Sequence, residues 1–179
     1  MIIFVNGAFG VGKTTVANLL LQQVPNSMLY DPEIVGEMLR WMTDGALSAA
    51  EQTDNFQDIA LWPTLTVTIA THLRRQYQRH FIVPMTITNR DYFATICAGL
   101  RQLDPDFHHF SLLASHNTIH QRLAQRGDEL GGWSFLQTER CVTALQTAVF
   151  ATHLDAETHS PSELADIICQ QVGIATGPS

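Results

Sequence analysis

Lysine is almost missing from this chain: Lys13 is the only one, and the other nine basic residues are arginines. A solvated surface lysine would be one of many, so this one calls for a specific role. Cysteine is nearly as rare. Cys97, Cys141 and Cys169 are odd in number and form no C-x-x-C pair, which excludes a disulfide framework and a zinc knuckle and points to small core residues. No apolar run approaches the length of a membrane span, and the amino terminus shows no basic region or cleavage site, so the expected compartment is the cytosol. Excess positive charge is lacking as well: a net charge of -7 argues against nucleic acid and anionic membrane surfaces as partners. Any phosphate this protein binds must be met by local positive charge.

What is present is concentrated near the start. Gly7-Ala8-Phe9-Gly10-Val11-Gly12-Lys13-Thr14 fits the spacing G-x-x-x-x-G-K-[ST] of a phosphate-binding loop, directly behind the apolar run Met1 to Val5. A buried strand should precede such a loop and a helix should follow it. Val16, Ala17, Leu19, Leu20 and Val24 recur at helical spacing until Pro25-Asn26. Glycines let the loop backbone bring its N–H groups close to an anion, and the helix adds its positive dipole end beneath. Lys13 is expected to reach the β- and γ-phosphates of ATP, Thr14 to ligate Mg²⁺ through its hydroxyl, and Thr15 to complete the nucleotide contacts.

With 179 residues and 45% hydrophobic content, the chain can bury one sizeable α/β core. Strands are expected at 27–30, 81–87, 107–114 and 150–154, alternating with helices at about 32–43, 90–103, 116–126, 133–149 and 160–172. From 51 to 80 the pattern predicts a long, mostly helical insertion that Pro63 kinks or divides. Pro84 inside an apparently buried strand conflicts with the usual confinement of proline to edges and bulges. The tail from Gly173 is expected to fray. Alternating strands and helices imply a three-layer P-loop NTPase fold with a five-stranded parallel sheet, of nucleoside or small-molecule kinase type. It is read as a single domain over 1–179, with a helical acceptor-side insertion at about 44–80 and a lid at about 122–140.

Ligands of such sheets bind at the carboxyl ends of the strands, which singles out Asp31, Thr86 to Asp91, Ser115-His116 and Asp155. Asp31 can accept a proton from a substrate hydroxyl, or cap the helix that Pro32 opens; the two roles can coexist. Arg122 and Arg126 lie one helical turn apart, with Arg140 across the glycine-rich gap from Gly127 to Trp133. They suit a lid that closes over a transferring phosphoryl group, Arg126 also touching the nucleotide; the alternative is a solvated helix pair in which they face Asp128, Glu129 and Glu139. Trp62 and Phe56 are candidates to stack on a planar acceptor ring. His116 and His120 have i, i+4 spacing but no third ligand, so no zinc site is expected. The third strand ends without a Walker B aspartate and no Asn-Lys-x-Asp motif occurs, which disfavours motor ATPases and regulatory GTPases and leaves small kinases.

Ile3 through Thr14, Tyr30-Asp31-Pro32-Glu33 with Gly36, Val83-Pro84-Met85-Thr86 and Leu112-Leu113-Ala114-Ser115 resemble the ATP-binding tunicamycin resistance proteins, over residues 2 to about 145. The resemblance implies a nucleoside monophosphate kinase-like fold and ATP binding through Gly7 to Thr14. It also implies a link to tunicamycin, a nucleoside antibiotic resembling a UDP-sugar. Two activities remain open: an ATP- and Mg²⁺-dependent phosphotransferase acting on a hydroxyl of a nucleoside- or sugar-like molecule, and a nucleotide-dependent protein that sequesters the drug unchanged.

Overall fold

The first strand alternates its side chains between two cores. Ile2 and Phe4 belong to one buried cluster, Ile3 and Val5 to another, and all four are fully buried. Strand β1 (Ile2–Gly7) is therefore the centre of the sheet, and a computed structural model, which describes residues 1–53 and 55–175, bears this out. Five parallel strands run in the order β2-β3-β1-β4-β5, with β2 at Ser27–Leu29, β3 at His80–Met85, β4 at Phe107–Leu113 and β5 at His153–Asp155. Helices α1 (Lys13–Gln23) and α7 (Pro161–Gln171) cover one face. The other face carries α2 (Pro32–Thr43), α3 (Trp62–Tyr77), α4 (Arg90–Leu103), α5 (His116–Arg126) and α6 (Trp133–Leu145). The expected three-layer α/β fold stands. All three cysteines are buried, and among the described residues no helix is long and apolar enough to cross a membrane.

The structure resolves the conflict at Pro84. Residues of even number in β3 turn their backbone groups toward β2: the N–H of His80 bonds to Asn26 O, and Ile82 O accepts from Tyr30 N. The nitrogen of Pro84 points the same way, but β2 has ended at Leu29. Its missing donor thus falls where no neighbouring strand asks for one, so a central strand has a local edge there.

Elsewhere the structure corrects the sequence reading. The stretch 51–80 is mostly helical as expected, but Pro63 does not divide a helix. Pro63 lies in the first turn of α3, where its missing N–H costs no helical bond, and the stretch before it is turns around a 3₁₀ turn at Phe56–Asp58. The last strand begins at His153 rather than at residue 150, because a second 3₁₀ turn, Ala148–Phe150, buries Phe150 against Phe93 with ring centroids 4.8 Å apart. The expected fraying does not begin at Gly173. Gly173 N donates to Gln170 O at 3.2 Å and Ile174 N to Cys169 O at 2.8 Å, a Schellman closure of α7 whose Ile174 packs on the core. The part of that tail from residue 176, and Asp54 within the insertion, lie outside the described residues.

The 3₁₀ turn is seated by a missing side chain. A Cβ on Gly36 of α2 would stand 2.1 Å from Cδ2 of Phe56, so the phenyl ring lies directly on the helix backbone. Trp62 backs the same ring edge-on at 5.6 Å. Gly36→Ala should therefore lose roughly 1–3 kcal/mol through overpacking, outweighing the gain of about 1 kcal/mol in helix propensity. Chemical denaturation of both proteins checks this, and an alanine variant of equal or greater stability would contradict the packing.

Candidate functional site

The loop after β1 needs two glycines for conformational reasons. Gly10 has φ +80° and Gly12 φ +111°, a region that L side chains rarely adopt. At Gly10 space is short as well, since a Cβ would lie 2.8 Å from Leu123 of α5. Because Gly12 is the N-cap of α1, that helix begins with no side-chain cap and no acidic residue in its first turn. Asp31, Asn89, Ser115 and Ser160 cap α2, α4, α5 and α7 with side-chain oxygens. The first-turn N–H groups of α1 are thus left for an external acceptor, which is the arrangement an anion requires. Lys13 stands beside them. Its Nζ donates to Ala8 O at 2.9 Å and lies 5.4 Å from the centroid of the Phe9 ring. Burial of the amine pushes its pKa down to about 8, against the opposing pull of the Glu33 carboxylate.

Asn6 holds this loop in register. It is fully buried, its Oδ1 accepts from the N–H groups of Gly7 and Ile87, each at 2.9 Å, and its Nδ2 donates to Ile87 O at 3.0 Å. Beyond Ile87 the tie continues, because Gln57 Nε2 donates to the carbonyl of Thr86 at 2.7 Å.

One cavity of about 460 Å³ gathers Lys13, Thr14, Thr15, Asp31, Arg122 and Arg126, with Phe9, Gly10, Gly12, Glu33 and Pro84 completing its wall. Gly7, Ala8 and Val11 form the loop behind it: Ala8 and Val11 are buried, and the Ala8 carbonyl accepts from both Val11 N and Lys13 Nζ. Of the residues selected from the sequence, Gly7 to Thr15, Asp31, Arg122 and Arg126 are in this loop or line this cavity. Asp31 also caps its helix, with Oδ1 accepting from Glu33 N at 2.9 Å. Burial raises the pKa of Asp31 above the usual carboxylate value, opposed by that hydrogen bond and by Lys13. Arg122 clamps the loop from the side, donating to Val11 O at 3.0 Å and to Ala156 O at 2.9 Å. Arg126 is held by Asp128 through two hydrogen bonds of 2.6 Å.

Other candidates do not reach the cavity. Arg140 is exposed and absent from its wall. Asn89 caps α4, Ser115 caps α5, and Asp155 accepts from Glu157 N and Thr158. His116 and His120 pack on each other with ring centroids 3.9 Å apart and planes tilted by 46°, and among the described residues no group of three His, Cys, Asp or Glu side chains could hold a metal ion. Trp62 is corrected from ring-stacking candidate to core: it is fully buried and its Nε1 donates to Pro32 O at 3.0 Å. A larger hollow of about 700 Å³ between α3 and α4 is lined by Arg74 and Arg75, but it lies away from the glycine loop and Asp104 already engages Arg74.

Two residues missed by the sequence reading matter here. Glu33 sits in the first turn of α2, where a carboxylate is already accounted for as a dipole partner. In space it faces Lys13, and burial, then Asp31, raises its pKa. Trp133 is the first residue of α6 and packs edge-on against Phe9 at 4.8 Å. A large aromatic directly after Gly131-Gly132 was its signal.

A protein-family model described as an AAA domain matches residues 2–152. No curated protein matches the sequence significantly. Among solved structures the chain is similar to the tunicamycin resistance protein of Deinococcus radiodurans, with 28% identity, a TM-score of 0.79 and 99% of each chain covered. It shares its fold with a sugar kinase from Janibacter sp. HTCC2649, at 21% identity and TM-score 0.67 over 97% of this chain and 95% of that one. A shikimate kinase from Acinetobacter baumannii, solved with shikimate, has 17% identity and TM-score 0.60 over 96% and 92%. The resemblance carried by the motifs thus extends to the whole backbone, and the fold is P-loop and kinase-like. Since the family model covers most of its length, the chain belongs to this AAA-domain family.

Proposed function

We propose that this protein is an ATP- and Mg²⁺-dependent phosphotransferase that acts on a hydroxyl of a small molecule, with tunicamycin as the candidate acceptor. The observation that carries this reading is the shared cavity: uncapped N–H groups and Lys13 on one side, Asp31 on the other. When bound, Mg·ATP supplies an activated phosphoryl group. The loop from Gly7 to Thr14 and Lys13 hold its phosphates, the Thr14 hydroxyl serves the metal, and Thr15 extends the contacts along α1. Arg122 steadies the loop. Arg126 contributes charge by exchanging Asp128 for a phosphate, as α5 and α6 close about Gly127 to exclude water. Asp31 orients the acceptor hydroxyl; its cap uses one carboxylate oxygen and leaves the other for the proton, which a raised pKa makes it readier to take. The similarity to the Deinococcus protein supports the acceptor class.

Removal of the lysine tests the donor side. Lys13→Ala should weaken ATP binding by roughly 100-fold or more, the loss of a charge-assisted contact, without a fall in melting temperature. Titration calorimetry decides this, and unchanged affinity would contradict the site.

The depressed pKa of Lys13 has its own signature. A bound phosphate favours the charged amine, so affinity is full below pH about 8 and declines as the amine deprotonates above it. The decline should approach tenfold per pH unit. A flat profile between neutral pH and that of unperturbed lysine would show that the amine titrates normally.

Transfer itself is read by mass spectrometry of tunicamycin incubated with protein and Mg·ATP. A phosphorylated drug is expected, with Asp31→Asn slowing its formation by on the order of 100-fold while ATP affinity holds. Unmodified drug recovered from a tight complex would favour sequestration instead.

A further inference from the structure

A second cavity, of about 330 Å³, adjoins the first and shares Phe9 and Glu33 with it. Its walls divide by chemistry. Phe9, Phe56 and Trp133 supply flat apolar faces, and Asn55 and Gln57 supply amides. The remaining lining is charged: Glu33, Glu37 and Arg40. The lone arginine is already engaged, its Nη1 lying 3.4 Å from Glu37 Oε1. The carboxylates of Glu33 and, next door, Asp31 have no arginine partner among the described residues. Cationic groups belong to the other half of the site, at Lys13, Arg122 and Arg126.

The floor is built before any ligand arrives. Asn55 caps the 3₁₀ turn by accepting from Gln57 N, Gln57 is tied to Thr86 O, and Tyr92 donates to Asp58 at 3.1 Å. Phe56 is pressed on Gly36, and Trp133 on Phe9. A rigid aromatic box with carboxylates in its wall accepts hydrogen bonds and rejects negative charge. A phosphate or carboxylate placed here would face two carboxylates against one arginine that Glu37 already holds, and such like-charge juxtaposition disfavours binding.

From this geometry we infer that the acceptor pocket selects against anions: it takes an uncharged or cationic hydroxyl-bearing ring compound, such as an unphosphorylated nucleoside or an amino sugar, and Glu33 and Glu37 determine that choice. The inference rests on the acceptor reading proposed above and narrows it. It also predicts the first phosphoryl group on such a ligand to be the one this protein would add, since a ligand already phosphorylated would be turned away.

Matched probes test it: uridine against uridine 5′-monophosphate, adenosine against its 5′-monophosphate, and glucosamine against glucosamine 6-phosphate. Binding is followed through the Trp133 indole N–H resonance, with Mg·AMP-PNP present so that phosphates are not drawn to the glycine loop. At least one unphosphorylated probe should bind, and bind about tenfold or more tightly than its phosphorylated partner. Glu33→Gln with Glu37→Gln should bring that ratio close to one. Glu37→Gln alone, on the more open side, should narrow it part of the way even if the double variant fails to fold. A phosphorylated probe that binds as well as its partner, a ratio that survives both glutamine variants, or no shift with any of the six would overturn the inference. Because binding is read without turnover, absence of phosphoryl transfer would count against the proposed function and leave this ranking standing. AMP-PNP affinity, measured separately, reports on the donor side.

Discussion

Buried at the end of the central strand, the side-chain amide of Asn6 joins parts of the chain that must agree on their position. The β1–β3 ladder runs out at the pair Asn6 and Met85. Beyond it, Asn6 replaces the ladder, taking the N–H groups of Gly7 and Ile87 and giving one to Ile87 O. The glycine loop leaves from one side of this joint. From the other side, Thr86 O holds Gln57, and with it the turn that seats Phe56 on α2. An amide with a donor and an acceptor on one short stem suits this position. Aspartate would bury a charge against the carbonyl of Ile87, and an apolar residue would take that partner from three backbone groups at a cost of about 1–3 kcal/mol each.

Hung from that joint, the two cavities differ in charge balance. Lys13, Arg122 and Arg126 outnumber Asp31 and Glu33 around the first, whereas Glu33 and Glu37 outnumber Arg40 around the second. A chain of net charge -7 thus carries a local inversion of its own field, built from one lysine, two arginines and the open end of α1. Phe9 stands on the boundary, under Lys13 and against Trp133, so the ring that shields the amine from water also walls the neighbouring pocket.

How far this could be read in advance depended on whether a residue's role is local. Phosphate binding by backbone needs glycines at set intervals before a lysine, so Gly10, Gly12 and Lys13 declare themselves. Asp31 is legible because a strand end and a following proline are both visible in the letters, and its cap is present in the structure. Pro84 is not, because its tolerance depends on where another strand stops. Pro63 reads equally well as a breaker or as a starter until the preceding chain is seen to be turns. The aromatics mislead for a related reason. Trp62 and Trp133 are the same letter, but one spends its N–H on Pro32 O in the core and the other sits half exposed beside Phe9. Glu33 hides behind an adequate local explanation, and only the fold brings it opposite Lys13.

The rarity of lysine has a consequence for chemical modification of the protein. With a single ε-amine in the sequence, every reaction that acylates or otherwise neutralises a lysine side chain must occur at Lys13. Its lowered basicity leaves more of that amine in the nucleophilic form than an ordinary lysine has, while Phe9 and the carbonyl of Ala8 limit approach to it. Most proteins can lose a lysine charge somewhere harmless. In this chain covalent tagging of a lysine is equivalent to removing the cation that stands beside the open end of α1.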